Sequence, residues 1–265
     1  MRSLVVEDVA VSYGDVEAVR GASFSVEAGQ VFGLLGPNGA GKTSILRVLT
    51  TLVRPAGGKA WILGHDVEAE PASVRRLIGY VPQALSADGS LTGRENISLF
   101  ARLYSVPRRD RTARINQLLE LMELGPAADR VVRTYSGGMV RRLEIACSLV
   151  HHPRFLLLDE PTVGLDPVAS RAVWGHLTSL SKETGLTLLV TTHSMPEADE
   201  HCQRLAVMSG GVVCGEGTPA ELRESLGTPG GTLEDVFVAL TASAPGSKGD
   251  LRDVNRSRRT ARRLG

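Results

Sequence analysis

The stretch VFGLLGPNGAGKT, residues Val31–Thr43, decides the fold class. Its first part, Val31–Leu35, is a continuous apolar run, which is typical of a parallel strand buried on both faces. A glycine-rich loop follows, and we expect a helix from Lys42 to about Thr51. Further apolar runs alternate with helical patterns along the chain, so the sequence predicts an α/β fold with a largely parallel sheet.

The glycine-rich loop matches the phosphate-binding pattern G-x-x-x-x-G-K-[ST] in full. Its glycines allow backbone N–H groups to close around phosphate oxygens. Lys42 is expected to reach the β- and γ-phosphates of a nucleotide, and the Thr43 hydroxyl is expected to bind Mg²⁺. A glycine-rich turn can match by chance, but here a strand precedes the loop and a helix follows it, so the expected α/β fold has a P-loop NTPase core. The predicted nucleotide-binding residues are Gly36, Pro37, Asn38, Gly39, Ala40, Gly41, Lys42, Thr43 and Ser44.

Two carboxylates end a second buried strand, Phe155–Leu158. The carboxyl end of such a strand is where α/β folds place ligands. Asp159 is suited to hold Mg²⁺, and Glu160 is placed to orient or deprotonate an attacking water. A solvated Asp-Glu pair leading into a proline turn is the plainer interpretation, and the phosphate loop favours the catalytic one.

Three more polar or aromatic residues lie next to strands. His193 follows the buried strand Thr187–Val190 and is suited to hydrogen-bond a γ-phosphate, although a histidine there is also common as a packed or capping residue. Gln83 is a candidate to ligate Mg²⁺ or position water, or is a solvated loop residue. Tyr13 is a candidate to stack on an adenine ring, or is an ordinary aromatic at a strand end.

A second helix start suited to an anion lies in the segment TYSGGMVRRLEIA, Thr134–Ala146. Ser136, Gly137 and Gly138 precede apolar residues at helical spacing, with Arg141, Arg142 and Glu144 between the apolar positions. A serine and two glycines before a helix leave backbone N–H groups open to an anion. The chain therefore has two phosphate-ready helix starts but one set of Mg²⁺ and base residues.

The remaining sequence predicts the domain organisation. Short strands within Ser3–Val26 predict an N-terminal antiparallel β-subdomain, and apolar positions from Thr92 to Leu124 predict an inserted helical subdomain. We place one ATP-binding domain at residues 1–240, with the helical insert at about 84–152. Residues 241–265 carry a net charge of +5 against −4 for the rest of the chain, and their composition predicts a disordered basic tail.

Composition excludes several classes of protein. The chain has 265 residues, 42% of them hydrophobic, and no apolar run long enough to suggest a membrane span. Nothing in its first ten residues resembles a signal peptide, and its three cysteines are scattered without metal-binding spacing. A mildly acidic body argues against nucleic acid as the main partner, so we expect none.

Taken in chain order, these motifs resemble the nucleotide-binding subunits of ATP-binding cassette (ABC) transporters, across roughly Leu4–Leu240. The resemblance rests on Tyr13, the phosphate loop, Gln83, Ser136-Gly137-Gly138, Asp159-Glu160, Gly164-Leu165-Asp166-Pro167 and His193. In that family the serine-glycine-glycine motif is the signature, and it binds the γ-phosphate of ATP held by the other subunit of a head-to-tail dimer. The resemblance therefore implies a homodimer whose two sites are each shared between chains.

The same resemblance implies a role for each matching residue. Lys42, Thr43 and Ser44 take the Walker A roles and Asp159 the Walker B role. Glu160 resembles the catalytic base, His193 the switch histidine, Gln83 the glutamine that senses Mg²⁺ and the membrane partner, and Asp166 the residue that couples the two sites. ATP and Mg²⁺ are the implied ligands. Met139 stands where the commonest signature has glutamine, so polar contacts at that position are not expected.

The form Tyr135-Ser136-Gly137-Gly138-Met139 resembles the daunorubicin-resistance branch of bacterial drug exporters, as does Thr232–Phe237. This implies an ATPase at the cytoplasmic face of the membrane that powers drug efflux through separate permease subunits. A soluble ABC-type ATPase acting on ribosomes or DNA is the alternative, although such proteins usually carry two cassettes or long coiled coils. A P-loop kinase or GTPase would leave Ser136 and His193 unexplained.

Overall fold

Two sheets carry the architecture in the computed structural model, which describes residues 2–225 and 231–242. The strands are β1 (Arg2–Tyr13), β2 (Val16–Glu27), β3 (Val31–Leu35), β4 (Gly57–Ile62), β5 (His65–Asp66), β6 (Ile78–Val81), β7 (Phe155–Asp159), β8 (Thr187–Thr192), β9 (Arg204–Ser209) and β10 (Val212–Gly217). The helices are α1 (Lys42–Leu49), α2 (Pro71–Leu77), α3 (Gly93–Leu103), α4 (Arg108–Leu121), α5 (Gly137–Ser148), α6 (Pro167–Thr184), α7 (Met195–His201), α8 (Pro219–Ser225) and α9 (Leu233–Ala242), with 3₁₀ turns at Gly125–Ala127 and Val132–Thr134.

The larger sheet has the strand order β10-β9-β3-β8-β7-β6. Strand β3 runs parallel to both β8 and β9, and β7 runs parallel to both β6 and β8, whereas β10 is antiparallel to β9. All residues of β3, β7 and β8 are buried. The predicted α/β fold with a largely parallel sheet is confirmed, and the carboxyl ends of β3, β8 and β7 lie side by side at one edge.

The smaller sheet is antiparallel, with the order β2-β1-β4-β5, and confirms the predicted N-terminal β-subdomain. Its first two elements are long strands of 12 residues each rather than the short strands expected. Register shifts interrupt their pairing, and Asp8 takes a positive φ of 49° at one of them. There the Ser23 hydroxyl donates to Asp8 Oδ1 over 2.9 Å, so the bulge bends one strand without ending it.

Helices α3, α4 and α5 lie between β6 and β7 in the chain, where a mostly helical insert was expected. Helix α3 begins at a reciprocal cap in which Thr92 and Glu95 each accept the other's backbone N–H. The insert buries its own apolar side chains, among them Ile97, Leu118 and Leu143. Its limits at about 84 and 152 stay a prediction.

Helix α5 buries two charged residues. Arg141 and Glu144 lie between its apolar positions in the sequence, which is the usual place for a solvated charge. In the structure only 3% of Arg141 and 4% of Glu144 is exposed. Both side chains are turned toward protein, and their partners belong to another segment of the chain.

The chain's last described helix, α9, runs to Ala242, two residues past the predicted end of the ATP-binding domain at 240. The rest of the predicted basic tail lies outside the described residues. Within residues 2–225 and 231–242, every helix is too short or too polar to cross a bilayer.

The burial of two leucines predicts that replacing each by alanine has a very different effect on stability. Leu157 in β7 is fully buried, whereas Leu103 at the end of α3 is 69% exposed. We expect Leu157→Ala to lower the free energy of unfolding by about 2–5 kcal/mol, because it removes buried methyl groups and leaves a cavity. Leu103→Ala is the matched control and is expected to change it by no more than about 0.5 kcal/mol. Urea denaturation of both variants measures this, and equal losses would contradict the burial pattern.

Candidate nucleotide-binding site

The site lies at the edge of the larger sheet where the parallel strands β3, β7 and β8 end. The phosphate loop follows β3 directly, Asp159 ends β7 with Glu160 one residue on, and His193 follows β8. Because β8 lies between β3 and β7, all three segments meet at this edge. This is the position at which α/β sheets bind ligands.

The phosphate loop requires glycine at its last turn. Gly41 has a φ of 103° and immediately precedes α1, and a Cβ at this position would lie 2.6 Å from the carbonyl oxygen of Ala18. The next residue, Lys42, turns back across the loop and is buried. Its ammonium donates to the carbonyl oxygens of Gly36 at 2.8 Å and Pro37 at 3.1 Å. The loop is thus closed around the charge that a phosphate would meet.

A cavity of about 520 Å³ opens beside the phosphate loop, a size that is usual for small-ligand sites. Tyr13 lies at its margin and is 39% exposed, so its ring is available for stacking. A hydrogen bond with Tyr13 raises the pKa of Arg47. The lining includes most of the predicted nucleotide-binding residues, namely Tyr13, Asn38, Gly39, Ala40, Gly41, Lys42, Thr43 and Ser44, together with Gln83 and Glu160.

Glu160 is the point on which the predicted catalytic side chains converge. Lys42 Nζ lies 3.2 Å from Glu160 Oε1. Gln83 Nε2 donates to Glu160 Oε2 over 3.3 Å, and His193 Nδ1 lies 3.2 Å from the same oxygen. Four residues far apart in the sequence therefore form one cluster.

The backbone holds Glu160 in an unusual conformation. Its φ is 47°, in the left-handed region, which costs a residue other than glycine about 1–2 kcal/mol. The Glu160 N–H donates to the hydroxyl and the carbonyl oxygen of Thr191 in β8, at 2.9 and 3.2 Å. These bonds hold the turn after β7, so the carboxylate points into the cavity instead of continuing the strand.

Asp159 lies next to Glu160 but has different partners. It is almost fully buried, and its Oδ1 accepts from the hydroxyls of Thr43 at 3.3 Å and Thr191 at 2.7 Å. Burial raises the pKa of the neighbouring Tyr80 to about 12, and the charge of Asp159 contributes in the same direction. The structure therefore brings the predicted Mg²⁺ residues Asp159 and Thr43 together, while Gln83 is directed at Glu160.

The second phosphate-ready helix start is separate from this cavity. Ser136 caps α5, with its hydroxyl accepting the Met139 N–H at 3.3 Å, and Ser136 and Gly137 are exposed. None of Ser136, Gly137 and Gly138 lies among the described residues that line the cavity. Gly138 is buried against α6, where a Cβ would approach the Ala169 Cβ to 2.8 Å, so glycine lets the two helices meet.

Asp166 caps the adjoining helix, α6. Its carboxylate accepts the N–H groups of Val168 and Ala169, each at 2.9 Å. Hydrogen bonds from Ala169 and then Val168 lower the pKa of the Asp166 carboxyl, so it stays ionised near neutral pH. The caps of α5 and α6 therefore lie on two helices that touch at Gly138.

Comparison with known proteins assigns the chain to a family. The family model described as ABC transporter matches residues 19–163, which run from β2 through the phosphate loop to just beyond Glu160. The chain belongs to the ABC transporter family. The ABC match covers more than half of the chain and includes the signature helix.

Three ABC proteins are similar over most of the chain. The daunorubicin/doxorubicin resistance ATP-binding protein DrrA of Streptomyces peucetius is 48% identical over 82% of this chain and 65% of its own length. The Nod factor export ATP-binding protein I of Rhizobium meliloti (strain 1021) is 44% identical over 81% of this chain and 64% of its own length. This chain thus spans slightly less than two thirds of both relatives. A dimeric post-hydrolysis structure of the ATP-binding cassette MJ0796, bound to ADP and Pi, superimposes with a TM-score of 0.72 at 26% identity, covering 81% of this chain and 98% of that one.

The ABC site includes residues that sequence reasoning missed. Thr191 holds both Asp159 and Glu160, and the only signal for it was a polar pair ending a buried strand. Glu197 in α7 accepts from the hydroxyls of Thr162 and Ser170, each at 2.7 Å. It thereby links the helix after His193 to the segment around Asp166, and no local pattern pointed to it.

Thr191 generates a test of the site. Thr191→Val keeps the shape of the side chain but removes the hydroxyl that donates to the Asp159 carboxylate and accepts the Glu160 backbone N–H. Loss of such a supporting partner typically costs about 10- to 100-fold in metal affinity or activity. We expect Thr191→Val to lower either the apparent affinity for Mg²⁺ in ATP hydrolysis or the rate of hydrolysis by this factor.

The same strand supplies the control for this variant. Thr187 is buried at the opposite end of β8, where its hydroxyl accepts the Gly29 N–H at 2.9 Å. Thr187→Val is expected to alter stability but not Mg²⁺ dependence. Equal hydrolysis by wild type and Thr191→Val over a range of Mg²⁺ concentrations would contradict the assigned role.

Proposed function

We propose that this chain is the ATP-binding and ATP-hydrolysing subunit of a bacterial exporter that moves a drug-like or lipophilic substrate through separate membrane permease subunits. The observation that carries the proposal is the convergence of Lys42, Gln83 and His193 on Glu160. A carboxylate with those neighbours, at the edge of a phosphate-loop cavity, is arranged to activate water rather than to stabilise the fold alone.

Nucleotide binding follows from the phosphate loop. Its backbone N–H groups and the buried Lys42 ammonium supply positive charge for the β- and γ-phosphates. The cavity continues from the loop to Tyr13, whose exposed ring offers a surface for the adenine. Pro37, Asn38 and Ser44 are the other loop residues that we propose bind the phosphates. ATP is therefore the proposed substrate.

Magnesium fits a donor set next to the cavity. Asp159 and Thr43 present a carboxylate and a hydroxyl oxygen 3.3 Å apart, and Mg²⁺ prefers such oxygen ligands with phosphates completing its shell. Within the described residues no three His, Cys, Asp or Glu side chains form a metal-binding group, so a site shared with the nucleotide fits best. Gln83 is a third proposed ligand. When bound, Mg²⁺ would neutralise charge on the phosphates.

Hydrolysis would use the Glu160 cluster. Glu160 accepts a proton from the attacking water, and its fixed backbone turn points the carboxylate into the cavity. His193 Nδ1 lies 3.2 Å from Glu160 Oε2. The His193 side chain is half exposed, so it can also donate a hydrogen bond to the γ-phosphate. Because phosphoryl transfer depends mainly on positioning and on charge stabilisation, loss of one member should be severe.

The signature is proposed to act on a second chain. Ser136, Gly137 and Gly138 do not line the cavity of their own chain, yet Ser136 and Gly137 are exposed at a helix start suited to an anion. A head-to-tail homodimer would bring this helix start onto the ATP of the partner chain, with Asp166 at the interface. The similarity to a dimeric ATP-binding cassette supports this arrangement.

Export is the proposed direction of transport. The relatives' names refer to drug resistance and to Nod factor export. Tyr135 and Met139, on either side of Ser136–Gly138, give the motif its resemblance to the drug-exporter branch. The proposed location is accordingly the cytoplasmic face of the cell membrane, bound to the permease. Nucleic acid is not a proposed partner.

Glu160→Gln tests the catalytic base. The amide has nearly the same shape but cannot accept the proton, so hydrolysis should fall by roughly 10²- to 10⁴-fold while ATP binding remains. The variant should also accumulate as an ATP-bound dimer, which size-exclusion chromatography detects. Glu7→Gln, on the exposed side of β1, is the control and should behave as wild type. Near-normal turnover by Glu160→Gln would refute the assignment.

A mixing experiment tests whether each site is shared between chains. Lys42→Ala impairs the phosphate loop and Ser136→Arg blocks the signature, so neither homodimer should close on ATP. In a mixed dimer of shared sites, one site carries both defects and the other carries none. ATP-dependent association should therefore partly return in the mixture.

Energy transfer between differently labelled variants measures this association, with and without ATP. If each chain used its own signature, every site in the mixture would still carry one defect. With both variants shown to be folded by circular dichroism, an energy-transfer signal that ATP leaves unchanged would count against the head-to-tail dimer.

A further inference from the structure

Helix α5 carries a buried ion pair that the proposed chemistry does not use. Arg141 Nη1 lies 3.0 Å from Glu144 Oε2, one helical turn away, and both side chains are almost fully enclosed. Burying two charges is costly unless further polar partners compensate. The partners of this pair lie in a segment about 60 residues earlier in the chain.

The Arg141 guanidinium donates from both ends of its planar fork. Nη1 donates to the Pro82 carbonyl oxygen at 2.7 Å, and Nη2 donates to the Gln83 carbonyl oxygen at 2.9 Å. Glu144 Oε1 accepts from the Ser86 hydroxyl at 3.0 Å and from the Ser86 N–H. One ion pair on α5 therefore holds both ends of residues 82–86, here named the glutamine loop.

Apolar packing does little to hold the glutamine loop against the protein. Residues 83–86 are all exposed, including Leu85 at 60%, so apolar burial contributes little to its position. Charge-assisted hydrogen bonds are roughly twice as strong as neutral ones, and a bidentate guanidinium also fixes direction. The loop's position relative to α5 is thus set by Arg141 and Glu144.

Two functional elements meet through this contact. Ser136 caps the N-terminus of α5, and the Gln83 side chain donates to Glu160 Oε2 at 3.3 Å. Because Arg141 binds the carbonyl of Gln83 itself, a movement of α5 displaces the backbone that carries the Gln83 amide. We infer that Arg141 and Glu144 are positioning residues that make α5 and the glutamine loop one body, so that engagement of the signature sets Gln83 against the catalytic base.

This inference rests on the proposed function, because it assigns hydrolysis to Glu160. A purely structural role for the pair would predict a loss of stability without a specific effect on turnover. Arg114 provides a matched control, since it also donates to backbone carbonyls, but at the two residues that follow the C-terminal end of α5. Its Nε donates to Val150 O at 3.3 Å, and its Nη2 donates to Leu149 O.

The experiment compares Arg141→Gln, Arg141→Lys, Glu144→Gln and Arg114→Gln in the full chain. We expect Arg141→Gln to lower kcat for ATP by about 10- to 100-fold, since small misplacements near a reacting centre have effects of this size. KM should stay within about threefold, because the phosphate loop is untouched. Glu144→Gln should show a smaller loss of kcat. Arg141→Lys should be intermediate, because a point charge replaces the fork but can still donate to one carbonyl.

Hydrogen–deuterium exchange gives a readout that is independent of hydrolysis. Arg141→Gln and Glu144→Gln should speed exchange of a peptide spanning 82–91 selectively. The first removes the guanidinium that binds the Pro82 and Gln83 carbonyls, and the second replaces the charged acceptor of the Ser86 N–H by a neutral one. Arg114→Gln should lower Tm while leaving both this exchange and kcat as in wild type. Thermal unfolding followed by circular dichroism shows which variants are folded, and Glu144→Gln and Arg141→Lys carry the test if Arg141→Gln does not fold.

Wild-type exchange and kcat in Arg141→Gln or Glu144→Gln would overturn the inference, as would an equal loss of kcat in Arg114→Gln. A wild-type chain without ATPase activity would instead refute the proposed function, and the exchange comparison would still decide whether the pair holds the glutamine loop.

Discussion

The ion pair between Lys42 and Glu160 is the constraint on which the site depends. Both side chains are buried, so each needs partners to offset the loss of water. Lys42 finds them in the carbonyls of its own loop, and Glu160 in Gln83 and His193. Strand β8, lying between β3 and β7, sets the separation of the two charges. A phosphate at Lys42 would compete for the ammonium that neutralises Glu160, so nucleotide binding changes the surroundings of the proposed base.

Much of the fold could be predicted from the sequence because its signals are local. The apolar run of β3, the glycine loop and the start of α1 follow one another without interruption, and the buried runs of β7 and β8 are just as distinct. The lengths of β1 and β2 were not predictable in this way. Their continuity depends on a bulge at Asp8 stabilised by Ser23 on the facing strand, and pairing across strands leaves no periodic signal in either segment.

The site residues also divide into those with a local sequence signal and those without one. Glu160 and His193 were predictable because each directly follows a buried strand, and parallel strands end at one edge. Thr191, Glu197 and Arg141 were not, because their roles depend on partners distant in the sequence. An arginine and a glutamate three residues apart on a helix usually indicate a solvated pair. Only the three-dimensional placement of the glutamine loop over α5 shows that Arg141 is buried and why its charge is tolerated there.

The contact between Gly138 and Ala169 has a consequence for how such chains can diverge. A side chain at 138 has no room while 169 carries a methyl group, since a Cβ would come within 2.8 Å of it. The two positions share one small volume, and growth at either one separates the N-terminal ends of α5 and α6. Those ends carry Ser136 and Asp166, which the proposed dimer would set against a partner chain at a fixed spacing. Across related chains, the residues at 138 and 169 should therefore covary in size, so that a larger side chain at one position is accompanied by a smaller one at the other.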